Sequence, residues 1–472
     1  MMEQTDNQQQ RKENQAPSAL GTEKIGKLLK SYALPAIIAM TASSLYNMVD
    51  SIFIGQGVGV LAISGLAVTF PLMNLSTAFG TLVGVGGSTI LSILLGQKNY
   101  NGASKVLGNI VSLNLIIGIA FMAVALVFLD PILTFFGASE NTLPYAREYM
   151  QVILYGNAIS HVYFGLNSAM RSSGNPKLAM GLTLFTVIFN TILDPIMIFG
   201  MGMGIKGAAW ATVISQTIAM IIIVSYFSSH KRFLHFEKGI IRLDWRIARD
   251  SLEIGFGPFL MNSAACLVNL FINQQLGKYS GDLGIGSFGI NNRITFLFLM
   301  ACMGLNQGMQ PIAGYNYGAR KYSRVLKVYK LTAVFATITT FAGFVVSVFL
   351  PHLMVGIFTH DAQLTEMSVH GLRIMNIIFF IVGYQIVSTN LFQSLGMVSK
   401  SIFLSLSRQL LCLVPLVYVL PLWFGADGVW LSFPLSDAFA FIMTVIMTWQ
   451  LVRKFRKLKD GDDPSSLGGI IR

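Results

Sequence analysis

The sequence is short of charge. Only 54 of its 472 residues are Lys, Arg, Asp or Glu (33 basic and 21 acidic), which is 11% of the chain, against roughly 25% in an ordinary soluble domain. A water-soluble protein of this length could not clothe its surface with so few. Cysteine is scarcer still. Cys266, Cys302 and Cys412 are odd in number, lack CxxC spacing and lie in apolar stretches. That argues against a disulfide framework or zinc site and for three small buried hydrophobes. The six histidines, at 161, 230, 235, 352, 360 and 370, stand singly with no H-x-x-H spacing, so no metal site is expected. No GxxxxGK[ST] segment occurs, which leaves ATP out as a direct energy source. Gly202, Gly204 and Gly207 spell GxGxxG but join two apolar stretches with no strand before them, so a dinucleotide site is not expected. No loop is long enough for a soluble catalytic domain. No cofactor and no enzymatic activity are expected.

What the sequence has is apolar length. Hydrophobic residues make up 53% of the chain and mean hydropathy is +0.62. About 20 mostly apolar residues span a bilayer as a helix. Twelve stretches meet that, near 32–54, 64–94, 106–130, 149–170, 178–200, 207–229, 252–276, 284–312, 326–350, 368–392, 402–423 and 428–451. The expected fold is an all-α integral membrane protein of twelve transmembrane helices. A β-barrel would show alternating segments of about ten residues instead. The first thirty residues are polar and end in a basic, interfacial segment.

The net charge of +12 does not mark a nucleic-acid binder, because the basic residues form short clusters between the apolar stretches. With both termini cytoplasmic, 28 of the 33 Lys and Arg fall in cytoplasmic tails and loops, as the positive-inside rule requires. Arg171 and Arg408 are counted with their nearest loops. Arg147, Lys206, Lys278 and Arg373 sit at the other face, and Arg293 lies within a span.

The chain repeats itself. Shifted by 222 residues, Gly96 meets Gly318, Tyr100 meets Tyr322, Lys105 meets Lys327 and Val106 meets Val328. The same shift pairs Gly86 with Gly308, Ile90 with Ile312 and Gly174 with Gly396. Six spans per half give both halves one orientation, so the repeats are parallel lobes around a central cavity, a transporter architecture. The expected organisation is a tail 1–30, a first lobe 31–229, a surface linker 230–250, a second lobe 251–451 and a tail 452–472.

Acids inside a bilayer cost about 2.5–3.5 kcal/mol each even on the lenient scale, so three aspartates need reasons: Asp50, Asp194 and Asp437. Asp130, Glu253 and Asp427 fall at span ends, where hydration suffices. Asn190 precedes Asp194 by one turn, on the same helix face. Pro195 follows directly and frees the carbonyl of Thr191. Asp50 lies three residues after Asn47, in a helix that Pro35 would let bend, and Thr212 on the next span could close the set. A carboxylate, an amide and a loosened backbone offer oxygens to a cation or a proton-linked network. Shifted by 222, Asp50 falls on Ile272, Asn190 on Cys412 and Asp194 on Leu416, so the coupling site is expected in the first half alone. Arg293 and Arg408 could each pair with a buried acid or cap helix carbonyls. Gly80, Gly84, Gly86 and Gly87 read as close helix packing.

The segments LPAIIAMTASSLYNMVDSIFIG, GSTILSILLGQKNYNGASKVLGN, RSSGNPKLAMGLTLFTVIFNTILDPIMIFG and IKGAAWATVIS resemble the multidrug and toxic compound extrusion (MATE) transporters, over about residues 25–455. The resemblance implies two six-helix lobes facing each other in a V. It also implies export of amphiphilic, often cationic compounds against inward H+ or Na+, from a bacterial inner membrane. The family's first-lobe cation site falls on Asp50, Asn190, Asp194 and Thr212. In one branch, span seven carries a glutamate about eight residues after its early proline; here Cys266 stands at that place after Pro258. That disfavours a second-lobe sodium site and favours proton coupling, with Na+ the alternative. Asp437, with Arg293, is then a candidate substrate contact. The expected partners are small amphiphilic molecules and the bilayer, with no nucleic acid, and the expected state is a monomer. A lipid-linked oligosaccharide flippase of the same superfamily is the nearest rival, but would line its cavity with more Arg and Lys. A membrane-embedded enzyme or receptor would need a catalytic cluster or a large outer domain.

Overall fold

The computed structural model describes residues 18–229, 232–236, 243–359 and 361–463. Much of the expected linker (230–231 and 237–242), residues 1–17 of the N-terminal tail and 464–472 of the C-terminal tail lie outside the described residues. The described chain is helical throughout, with no strand. The helices that matter here are α1 (Ile25–Gly57), α2 (Val60–Gly96), α3 (Tyr100–Val127), α4 (Leu143–Tyr155), α5 (Asn157–Ser172), α6 (Pro176–Pro195), α7 (Ile205–Ser228), α8 (Trp245–Gly318), α9 (Tyr322–Phe349), α10 (Ala362–Met375), α11 (Val382–Ser394), α12 (Val398–Leu406) and α13 (Ala426–Lys457).

Ten helices among the described residues are long and apolar enough to cross a membrane, and Ala362–Met375 with Phe379–Ser394, bent by 50°, makes an eleventh. The long helix α8 breaks at Gly281, whose φ of +61° separates two spans; only glycine enters that region cheaply. The expected stretch 149–170 is the exception. It divides at Gly156 into α4 and α5, and α5 buries Asn157, His161 and Asn167. All three find partners inside the protein: Asn157 donates to the Gly118 carbonyl at 3.2 Å, Asn167 to that of Ala179 at 3.0 Å, and His161 Nε2 lies 3.2 Å from the Ser76 hydroxyl. Large apolar side chains such as Ile116, Ile119, Val124 and Val127 of α3 are exposed, as a helix facing lipid requires.

The internal repeat is written into the backbone. Helix α3 begins at Tyr100 and ends at Val127; α9 begins at Tyr322 and ends at Phe349, each end displaced by the same 222 residues. Left-handed φ recurs at the same offset, at Gly59 and Gly281, at Lys98 and Arg320, and at Gly174 and Gly396. Close packing recurs too. A Cβ on Gly86 would overlap the Ser251 carbonyl oxygen, and one on its counterpart Gly308 would lie 2.6 Å from the Ala33 Cα.

Two compact units emerge. The first comprises residues up to Glu23, Ile38–Phe259 and Gly314–Ala319; the second comprises Lys24–Ile37, Leu260–Ala313 and Arg320 onward. These bounds differ from the expected lobes 31–229 and 251–451 in that Lys24–Ile37 is grouped with the second unit and Gly314–Ala319 with the first. Within the first unit, the start of α8 packs on α2 through Gly86 and Gly255, where a Cβ on Gly255 would overlap the Leu82 carbonyl oxygen. Within the second, the start of α1 packs against Gly304 and Gly308 through Ile37 and Ala33. The trade thus follows the repeat.

The acids at span ends do more than hydrate. Asp130 takes Arg147 in a two-pronged pair with Nε at 2.7 Å, Glu253 takes Arg249 at 2.7 Å, and Asp427 takes His370 at 2.8 Å. All are largely solvated, which keeps each worth little.

Candidate functional site

Within the first unit, residues of three helices come together. On α6, Asn190 and Asp194 are one turn apart and share a face, 2% and 0% exposed. Pro195 ends the α-helical ladder, and residues Ile196–Gly200 continue as a π-helical turn in which the Met201 N–H donates to the Ile196 carbonyl at 2.8 Å. Such turns commonly mark functional positions. On α1, Asp50 is 4% exposed; on α7, Thr212 faces the same region.

The Asn190 amide ties α6 to α7. Its Nδ2 donates to Asp194 Oδ2 at 3.0 Å, while its Oδ1 accepts from the Thr212 backbone N–H at 2.9 Å and lies 3.2 Å from Thr212 Oγ1; this orientation satisfies both ends of the amide. Thr212 extends the chain of contacts to α1, its Oγ1 lying 2.8 Å from the hydroxyl of Tyr46, one turn before Asp50. Tyr46 and Tyr149 of α4 both lie within electrostatic range of Asp50 and Asp194, and the two carboxylates are within range of each other. Around them, Ile54, Tyr149, Ile198, Ile205 and Val213 form one apolar cluster. Burial among apolar side chains strengthens any charge interaction inside it.

One feature is left unsatisfied. Asp50 Oδ1 and Asp194 Oδ1 are both buried and make no hydrogen bond among the described residues, and neither carboxylate forms an ion pair there. Two acids sharing a dry site cannot both stay charged and uncompensated. Protons or a bound cation would supply the missing compensation. In the second half, the corresponding Ile272 belongs to an apolar cluster with Val268, Leu413, Val417 and Trp430.

Of the supporting residues, Pro195 sets the π-turn, and Pro35 lies inside α1 in the stretch grouped with the second unit. The side chain of Asn47 lies outside the described residues. Sequence reasoning missed Tyr46 and Tyr149. Tyr46 could have been found as Asn47 was, by its one-turn spacing from Asp50; Tyr149, a hundred residues on, carried no such signal. Asp437 is held by Arg408, whose Nε donates to Oδ1 at 2.6 Å, so one of the two span arginines pairs with a buried acid. Arg293 is exposed on the second half of α8. Apart from the carboxylates, the first unit carries an apolar recess of about 610 Å³ lined by Leu72, Phe79, Phe121, Phe128, Ile132 and Phe135, among others.

Comparison with known proteins agrees with this architecture. The family model described as MatE matches residues 35–196 and again 258–419, one match per repeat. The multidrug export protein MepA of Staphylococcus haemolyticus (strain JCSC1435) is 28% identical over 427 residues, covering 90% of this chain and 94% of that protein. MepA of Staphylococcus aureus (strain MRSA252) is likewise 28% identical over the same shares. A solved complex of the MATE multidrug transporter DinF-BH is 36% identical, with a TM-score of 0.87, covering 94% of this chain and 99% of that one. An outward-facing MATE transporter, 23% identical with a TM-score of 0.86 over 93% of this chain and 98% of that one, shares the fold. The chain is therefore a multi-pass membrane transporter, not an enzyme, and belongs to the MatE family.

Proposed function

We propose that the chain exports amphiphilic, often cationic small molecules across a bacterial inner membrane in exchange for protons, acting as a monomer with both termini cytoplasmic. The observation that carries the exchange is the pair of unpartnered carboxylate oxygens on Asp50 and Asp194. With both acids charged, the site repels itself and attracts a cation. Protonation removes the charge from each, frees α1 from the electrostatic demand of α6, and favours release of a cationic substrate. Loss of the protons to the cytoplasm restores the charged state. Asn190 and Thr212 hold the acceptor geometry through the cycle. The multidrug names of the MepA relatives and of DinF-BH support the substrate class.

The test is transport by purified protein in liposomes. An inward-directed proton gradient should drive efflux of a fluorescent cation, and Asp50→Asn or Asp194→Asn should each lower the rate at least about tenfold, equivalent to about 1.4 kcal/mol. If both variants exchange like the parent, the coupling assignment is wrong. A sodium gradient that drives efflux at clamped pH would instead assign the two free oxygens to one shared ion.

A further inference from the structure

Beyond the first-unit acids, a second charged group lies buried in the second unit. Arg408 sits in a π-helical segment, Ser407–Leu413, that follows α12, and its Nε reaches Asp437 Oδ1 of α13 at 2.6 Å. The two partners are unequally exposed: the Arg408 side chain is 29% exposed and that of Asp437 only 6%. Gln385 of α11 completes the group. Its Nε2 donates to the Asp437 backbone carbonyl at 2.5 Å, which fixes the amide. Its Oε1 is then left buried with no hydrogen bond among the described residues.

The repeat shows that holding the helices together does not require these charges. Shifted back by 222 residues, Gln385 and Arg408 correspond to Tyr163 and Thr186; the last helices of the halves begin 221 apart, at Ile205 and Ala426 after the left-handed Gly204 and Gly425, which sets Asp437 opposite Gln216. The first half joins the corresponding helices α5 and α7 with neutral side chains, the Ser160 hydroxyl donating to Gln216 Oε1. Removing two charges from water is costly, and a neutral replacement commonly serves stability as well or better. The second half nonetheless carries an ion pair there, on a distorted helix, beside an acceptor with no donor. An ammonium group supplies what the site lacks. It offers one N–H to the carboxylate and another to Gln385 Oε1, while the charge of Arg408 is replaced rather than added to.

We propose that Asp437 and Gln385 form a second-lobe binding site for protonated amines, and that Arg408 is the resident cation which such a ligand displaces. The proposal rests on the reading of the chain as an exporter of amphiphilic cations, and adds to it a preference for cations that carry N–H donors. Arg408, the more exposed partner, withdraws; Asp437 stays.

The experiment measures binding to the full chain in detergent micelles with two probes. Dansylcadaverine carries a primary ammonium; tetraphenylphosphonium is a bulky cation with no N–H. Arg408→Gln should tighten dansylcadaverine about 3–10-fold, because the competitor is gone, while Asp437→Asn should weaken it about tenfold or more and Gln385→Leu about threefold. Tetraphenylphosphonium should move less than about twofold in all three. If Arg408→Gln does not remain monodisperse, Arg408→Lys replaces it, with tightening still expected. A pair that merely pins helices predicts that Arg408→Gln and Asp437→Asn weaken binding alike, and that result overturns the inference. So does an equal shift of both probes. Parent protein that binds neither probe overturns the export reading itself; parent that binds both, with unchanged affinity in every variant, overturns only this site.

Discussion

Gly96 and Gly318, counterparts across the repeat, lie at the ends of α2 and α8 and pack each against the other's helix. A Cβ on Gly96 would overlap the Tyr315 carbonyl oxygen, and one on Gly318 would overlap that of Ile93. Neither backbone can give way without moving a whole helix. Gly96→Ala and Gly318→Ala should each destabilise the protein by about 1–3 kcal/mol. The double variant should cost less than the sum, since one helix displacement relieves both clashes. Thermal unfolding in detergent reads this directly, and unchanged midpoints in both single variants would refute the close packing.

The hydroxyl of Tyr46, 2.8 Å from Thr212 Oγ1, gives a second test. Tyr46→Phe keeps the ring and removes that bond. Stability should fall by no more than about 0.6–1.7 kcal/mol, the range for hydrogen bonds between membrane helices. Transport should fall more steeply than stability, because Thr212 also donates to Asn190. Thr212→Val should produce a similar loss, and the two should not add. Rates in liposomes set beside melting midpoints decide it; a variant that loses stability but keeps its rate would separate Tyr46 from the exchange.

Asn190 is the only described side chain that bonds both Asp194 and Thr212. Asn190→Leu, close in volume, leaves one oxygen of Asp194 and the Thr212 backbone N–H short of the partners they have now. The expected cost is about 1–3 kcal/mol in stability, with exchange reduced at least as strongly as by Tyr46→Phe. Exchange at the parent's rate would remove Asn190 from the site.

Away from the membrane, Asp460 caps α9 from the far end of the chain. Its carboxylate accepts from the Ser323 N–H at 3.0 Å and the Ser323 hydroxyl at 2.6 Å, while the Tyr322 hydroxyl donates to the Asp462 carbonyl at 2.6 Å. Partial burial works against the charged form, yet the Ser323 bonds, the Tyr322 backbone and Lys321 hold the Asp460 carboxyl below its ordinary range. A group depressed on folding adds stability above its unfolded range and loses it as pH falls through its folded value. Asp460→Ala should therefore cost about 0.5–1 kcal/mol near neutrality, and the gap from the parent should close below the carboxylate range. Melting curves across that range, with a gap independent of pH, would refute the capping role.

The spans were legible because a bilayer accepts little besides long apolar runs, and the repeat because Gly96 and Gly318 cannot be replaced cheaply. Asp50, Asn190 and Asp194 were legible for the opposite reason, since polar groups in such runs need partners; Thr212 was named with the help of the family resemblance. Sequence could not choose between Tyr46 and Asn47, because positions three and four residues before Asp50 flank the same helix face. Nor could it join Asp437 to Arg408, 29 positions away on another helix, although each stood out alone. The break at Gly156 was hidden for a different reason. Asn157 and Asn167 of α5 are satisfied by neighbouring helices, and hydropathy along one segment does not record that.

The traded start of α1 has a mechanical consequence. Ala33 and Ile37 are held against Gly308 and Gly304, and Pro35 lies between them, so that end of the helix is a fixed mount. Asp50 lies thirteen residues beyond Ile37, about 20 Å along a helix axis. On the exchange proposed above, the stretch that would respond to a change of charge at Asp50 is the one after the mount. Its stiffness, set by Ile38 to Val49, would then fix how far a single proton is felt.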